Sequence, residues 1–387
     1  MTIQDEIDAI EAGKHSAPPP WEDPIARQKA ETSKKIQAVI DSTNDFATQV
    51  DAIAALRGWF RLENIGSCPI IKSYMSGNLD VDTAVTQLSE PINECYTTAN
   101  YGRQFRDAEQ VAANQRKFYD ADEARERWGD PLPEDPMPVI DDSAPDDSVE
   151  GLLWQLWFSI LHVGKCTPYT DVAAQSKLLD LVEALKKLED PPPPQNMTKA
   201  LSHDWIWSTG KVWSNLNMLG PSTREMWNDM PHEKTITVPE IKAWANVNAL
   251  VAGFVARGIA DFWIYCIWAM RSALEDVPLV KDLDSFVPAA AAWISVLGRQ
   301  LYDRNEDLTS KDPKRQGNPG AGGKVYKGPT AFCRERWDFW TQAFQDISER
   351  QDVKQTTREA ADRAAKEMIV VEEEEKESTK STHFSIE

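Results

Sequence analysis

The chain lacks any run of alternating β-branched residues bounded by hairpin turns. That absence argues against sandwiches, barrels and α/β sheets and predicts an all-α fold, an irregular multi-helix bundle. Cysteine is sparse. Cys68, Cys95, Cys166, Cys266 and Cys333 are odd in number, widely spaced and without a CxxC pair. They exclude a disulfide framework or structural zinc site and fit a reducing, cytoplasmic setting. Histidine is equally thin: His15, His162, His203, His232 and His383 show no metal-ligand spacing and no HExxH. No GxSxG elbow marks acyl transfer. The expectation is a protein without metal or cofactor.

Positive charge is also short. Lys and Arg number 42 against 62 Asp and Glu, a net charge of −20. A dedicated nucleic-acid binder pairs Lys and Arg with phosphates, so this balance argues against one. The first residues are acidic and carry no apolar h-region, so they do not read as a signal peptide. The longest apolar run spans 247–270 and has the length of a membrane span, but Arg257 and Asp261 lie within it. Each would cost about 2.5–3.5 kcal/mol at a bilayer centre. A buried helix of a soluble core is expected instead, with no membrane partner. On such a helix Arg257 and Asp261 stand at i, i+4 and face each other.

Tryptophan, by contrast, is plentiful, with 15 in the chain. Helical periodicity is the other dominant signal. Apolar residues recur along 152–161 and 178–188, the latter closed by the prolines 191–194. A helix is expected over about 200–219, and Thr237-Val238-Pro239-Glu240 reads as a helix start. Helices are also expected over 25–62, 80–99, 102–128, 284–301 and 330–350. Residues 120–150 carry 12 Asp/Glu and two Arg, a balance of −10, with five prolines in 129–150. The organisation this predicts is an N-terminal helical region (1–128), an acidic linker or loop (129–150), a Trp-rich helical domain (151–350), and a charged C-terminal helix fraying into an acidic tail (351–387).

Two segments carry a family likeness. Trp154-Gln155-Leu156-Trp157, with Lys165, Gln175, Leu178 and the run 181–192, resembles an uncharacterised family of fungal all-helical proteins. So does Gly322-Gly323-Lys324-Val325-Tyr326-Lys327-Gly328-Pro329 leading into Glu335-Arg336-Trp337-Asp338-Phe339-Trp340. The resemblance covers about 150–350. It implies a helical intracellular protein, of a kind sometimes encoded beside natural-product enzymes, and brings no catalytic residues.

Local motifs offer little chemistry. Residues 317–324 approach a phosphate-binding loop, but Val325 replaces the required hydroxyl and no strand precedes, so a flexible surface loop is expected. Asp141-Asp142, Asp146-Asp147 and the run 305–310 invite comparison with the magnesium motifs of terpene cyclases. The first set sits in a proline-rich loop and the second lacks its final acid. The tryptophans remain. Fifteen indoles in one helical core suggest a shaped aromatic pocket for a hydrophobic small molecule. The expected pocket lies among helices 152–164, 200–219, 250–270 and 330–345. Its substrate-binding residues are Trp157, Trp205, Trp213, Tyr265, Trp268, Arg336, Trp337 and Trp340, with Asp261, Arg257 and Lys211 as catalytic candidates. The function expected is cofactor-free binding of a terpenoid- or polyketide-like molecule, with cyclisation, isomerisation or dehydration as its chemistry. The alternatives are a non-catalytic interaction protein and a magnesium-dependent terpene cyclase.

Overall fold

Thr237 opens a helix that is buried on nearly every side. Its N–H and hydroxyl both donate to Glu240 Oε2, at 2.8 and 2.7 Å, in the capping box that its sequence announces. The computed structural model describes residues 24–59, 66–98, 101–130, 149–192, 199–200, 211–231 and 236–384. In chain order its helices are α1 (Pro24–Ser42), α2 (Phe46–Arg57), α3 (Cys68–Met75), α4 (Val81–Thr98), α5 (Tyr101–Gln115), α6 (Ala121–Trp128) and α7 (Val149–Cys166). There follow α8 (Val172–Lys186), α9 (Leu219–Met226), α10 (Val238–Ala256), α11 (Trp263–Met270), α12 (Val280–Asp303), α13 (Arg334–Glu349) and α14 (Gln355–Phe384). Sheet among the described residues is confined to the two-residue strands β1 (Glu306–Asp307) and β2 (Ala331–Phe332), antiparallel with Glu306 opposite Phe332. The fold is all-α.

The chain forms two compact units that divide between Trp59 and Phe60. The first holds α1 and α2, which pack on each other. The second holds the remaining helices, and α3 and α4 pack directly on α7 and α8. Of the acidic stretch 129–150, residues 131–148 lie outside the described residues.

In the second unit α10 is the central element, packed against α7, α8 and α12. Two glycines set how closely it approaches its neighbours. A Cβ on Gly164 of α7 would stand 2.4 Å from Leu250, and one on Gly253 would stand 2.7 Å from Leu179 of α8. Only hydrogen at those positions admits the facing leucines.

Three expectations need correction. First, 247–270 is not one helix. α10 ends at Ala256, Arg257 caps it, Gly258 turns the chain at φ +64°, and α11 begins at Trp263. Second, no helix spans 200–219: 201–210 lie outside the described residues, and 212–218 form a tight turn in which Leu216 and Met218 take positive φ. Third, α14 is not an exposed appendage. Ala360, Ala361, Ala364, Ala365, Met368 and Val371 are buried where it crosses α12 and α13. Their i, i+4, i+8 spacing is an apolar stripe made of small residues, which composition alone reads as solvent-facing. No described helix is long and apolar enough to cross a membrane.

Candidate functional site

The site begins with two short helices that each end irregularly. α9 passes into a 3-10 turn, Trp227–Asp229. α11 runs into a π turn, Arg271–Glu275, closed by Asp276 N–H donating to Arg271 O at 2.8 Å. A π turn widens a helix by one residue, and such turns recur at functional sites. Across them lies the loop that follows β1. Arg271 Nη1 donates to the carbonyls of Pro319 (3.2 Å) and Ala321 (3.1 Å), and Trp268 Nε1 also donates to Pro319 O at 3.2 Å.

These elements border an open cleft of about 460 Å³, within the range of about 300–1,000 Å³ common for small-molecule sites. Arg224, Trp227, Asn228, Trp268, Arg271 and Pro319 are among its lining residues, and none of the lining residues is acidic. Behind it runs a chain of aromatic contacts. Trp244 meets Trp227 at 5.0 Å, Trp227 meets Tyr265 at 4.5 Å, and Tyr265 meets Trp268 edge-on at 5.0 Å. Arg224 lies over the Trp268 ring at 5.6 Å, within cation–π range. Burial pushes the Tyr265 phenol up to about 12, with the Arg224 charge acting the other way.

Two buried ion pairs brace the cleft from beneath. Lys165 Nζ meets Asp229 Oδ2 at 2.6 Å, with the lysine almost wholly buried. This pair anchors the 3-10 turn that carries Trp227 and Asn228. Burial pulls the Lys165 ammonium below its ordinary pKa and raises the Asp229 carboxyl above its own, while their mutual attraction opposes both shifts. On the π-turn side, Arg336 grips Glu275 side-on and gives its remaining donors to the carbonyls of Gly320, Ala331 and Ala321. Trp340 Nε1 and Gly323 N–H also donate to the Glu275 carboxylate.

The loop 317–324 is therefore no free surface loop and no phosphate cradle. Gly323 and Lys324 N–H donate to the Glu275 and Asp276 carboxylates, Ala321 N–H to Asn318 O, and a Cβ on Gly323 would stand 2.4 Å from Glu275 O.

The expected site residues scatter. Tyr265 and Trp268 belong to the aromatic chain at the cleft, and Trp268 lines it. Trp157, Trp213, Trp337 and Trp340 are core indoles whose N–H groups are taken by Asn217 O, Asn93 Oδ1, Glu372 Oε1 and Glu275 Oε1. Arg336 is saturated by its protein partners and so braces the loop from inside the core. Trp205 lies outside the described residues. Arg257 does not meet Asp261: it pairs with Asp180 at 2.6 Å and Glu183 at 3.5 Å on α8, because the helix carrying it has already ended. Asp261 is exposed in the α10–α11 connection, and Lys211 is exposed beside the turn 212–218. None of the three catalytic candidates is among the residues lining the cleft. Of the magnesium motifs, Asp141, Asp142, Asp146 and Asp147 lie outside the described residues, while Glu306 and Asp307 are exposed in β1.

Sequence reasoning missed Arg224, Trp227 and Arg271. The signal was present as Arg224–Trp227 and Trp268–Arg271, two Arg/Trp pairs at i, i+3, which places each pair on one helix face.

The fold and cleft define an all-helical protein with an aromatic, cationic surface site. Residues 157–344, just under half of the chain, match a family model described as a protein of unknown function, DUF3632. The matched stretch contains every lining residue of the cleft. No curated protein and no solved structure matches the chain.

Proposed function

We propose that the protein binds a small molecule with a flat apolar body, polycyclic or terpenoid-like, in the cleft between Trp227 and Trp268. The observation that carries this reading is the pair of indoles at one opening, backed by an aromatic chain that holds their rings in place. Each ring contact to a flat ligand contributes about 0.5–1.5 kcal/mol beyond burial. A reducing intracellular setting, in a fungal natural-product pathway, is part of the same proposal. It is supported by five thiols, none of them in a disulfide.

The proposal is of binding, without turnover. Cyclisation, isomerisation or dehydration calls for an acid or base within hydrogen-bond reach of the reacting atoms. The side-chain donors lining this cleft are guanidinium, indole, amide (Asn228, Asn318) and hydroxyl (Ser272) groups, which hold their protons near neutral pH. Asp261, Arg257 and Lys211 are not among the residues lining it.

The test is calorimetric titration of the full chain with neutral 2-naphthamide. Saturable binding is expected, weakened about tenfold or more by Trp268→Ala and by Trp227→Ala. Binding indifferent to both changes would overturn the reading.

A further inference from the structure

The cleft contains a guanidinium fork that no described residue fills. Arg271 spends Nη1 on the Pro319 and Ala321 carbonyls; its Nε and Nη2 make no hydrogen bond and no ion pair among the described residues. Among the described residues Arg224 is likewise without a carboxylate partner. Its polar contact is Nη1 to Asn228 Oδ1 at 3.4 Å, while the neighbouring Glu225 carboxylate accepts from Asn228 instead. In a chain of net charge −20, two arginines at one opening with no acid among its lining residues are a local reversal of sign.

The same protein shows what such a fork takes. Arg336 presents Nε and Nη2 to the two oxygens of Glu275, at 2.7 and 2.8 Å. Carboxylates match this planar two-donor edge, and charge-assisted bonds of this kind are about twice as strong as neutral ones. Arg271 keeps the corresponding edge unused, next to an indole that Arg224 covers from its own side.

Resting on the binding reading above, we infer that the ligand class is a flat aromatic or polycyclic carboxylate. Its ring system lies against Trp227 and Trp268, its two oxygens meet Nε and Nη2 of Arg271, and Arg224 adds a second positive charge. A cleft of one sign also draws such anions in from solution, an effect that salt screens.

The experiment uses a matched pair, 2-naphthoate and neutral 2-naphthamide, titrated into the full chain at low and high salt. The carboxylate is expected to bind about tenfold or more tightly than the amide, with a smaller margin at high salt. Arg271→Gln should bring the two within about twofold of each other. Arg224→Gln should narrow the preference as well, and it serves if Arg271→Gln disturbs the loop, because Arg224 is exposed and braces nothing in the core. Equal affinity for the two probes in the unaltered protein overturns the carboxylate assignment and leaves the aromatic reading standing. A preference that survives both substitutions also overturns it. If neither probe binds, the cleft reading fails and this inference falls with it.

Discussion

Arg336 and Glu275, 61 positions apart, meet side-on with neither side chain exposed to solvent, Nε to Oε1 at 2.7 Å and Nη2 to Oε2 at 2.8 Å. Breaking such a pair strands a charge in a dry interior, at a cost of about 3–5 kcal/mol. Arg336→Met and Glu275→Met should each destabilise the full chain by about that amount in urea titrations followed by circular dichroism. The double substitution should cost clearly less than the two singles together, because it strands neither charge. Strict additivity would show that the two side chains do not act as a pair.

Lys165 and Asp229 differ from that pair because one partner still touches solvent. Asp229→Ala leaves a fully buried ammonium and should cost about 3–5 kcal/mol. Lys165→Met leaves a carboxyl that burial already pushes above its ordinary value of 3.8. That group can shed its charge by taking a proton. The sign follows: a group with a raised folded-state pKa stabilises fully below its unfolded value, and the benefit disappears as pH rises through the folded value. The defect of Lys165→Met should thus be smallest near pH 4 and grow toward neutrality. Denaturation midpoints across that range check it, and a defect independent of pH would contradict it.

Asp190 has the opposite dependence. Burial acts to raise its carboxyl, but the bonds from the Ser214 hydroxyl and N–H and the Trp213 N–H outweigh burial and hold it below the ordinary 3.8. Those bonds secure a turn in which Leu216 and Met218 sit at φ +47° and +67°, a region costly for side-chain-bearing residues. A lowered pKa stabilises above the unfolded value and loses its effect as pH falls through the folded one. Asp190→Ala should cost about 1.5–3 kcal/mol at pH 7, and progressively less below pH 4. Urea titrations at the two pH values measure the difference. An undiminished cost under acid conditions would mean that packing, and not charge, holds the turn.

Much of this architecture was legible in the residues. Helical spacing of apolar side chains located α7, α12 and α13 to within a few positions, and the start of α10, because each must bury a face and the 3.6-residue repeat leaves few ways to do so. Thr237, Pro239 and Glu240 announced a helix start through bonds that span only three residues. Tyr265 and Trp268, expected from their helix, meet edge-on, and Trp268 lines the cleft.

Partnership was not legible, and it decided the site. Whether an indole or guanidinium serves the core or faces a cleft depends on groups tens of positions away. Trp340 and Arg336 look like ligand-binding residues until Glu275 arrives from the π turn and takes their hydrogen bonds. Arg257 looks tied to Asp261 until Gly258 ends the helix and Asp180 supplies the charge instead. Helix type and apolar face follow from neighbours within a few residues, where the backbone restricts the choices. Which polar groups satisfy one another, and which are left for a ligand, is set by desolvation in the packed interior. There an unpaired charge is costly enough to select one partner among many.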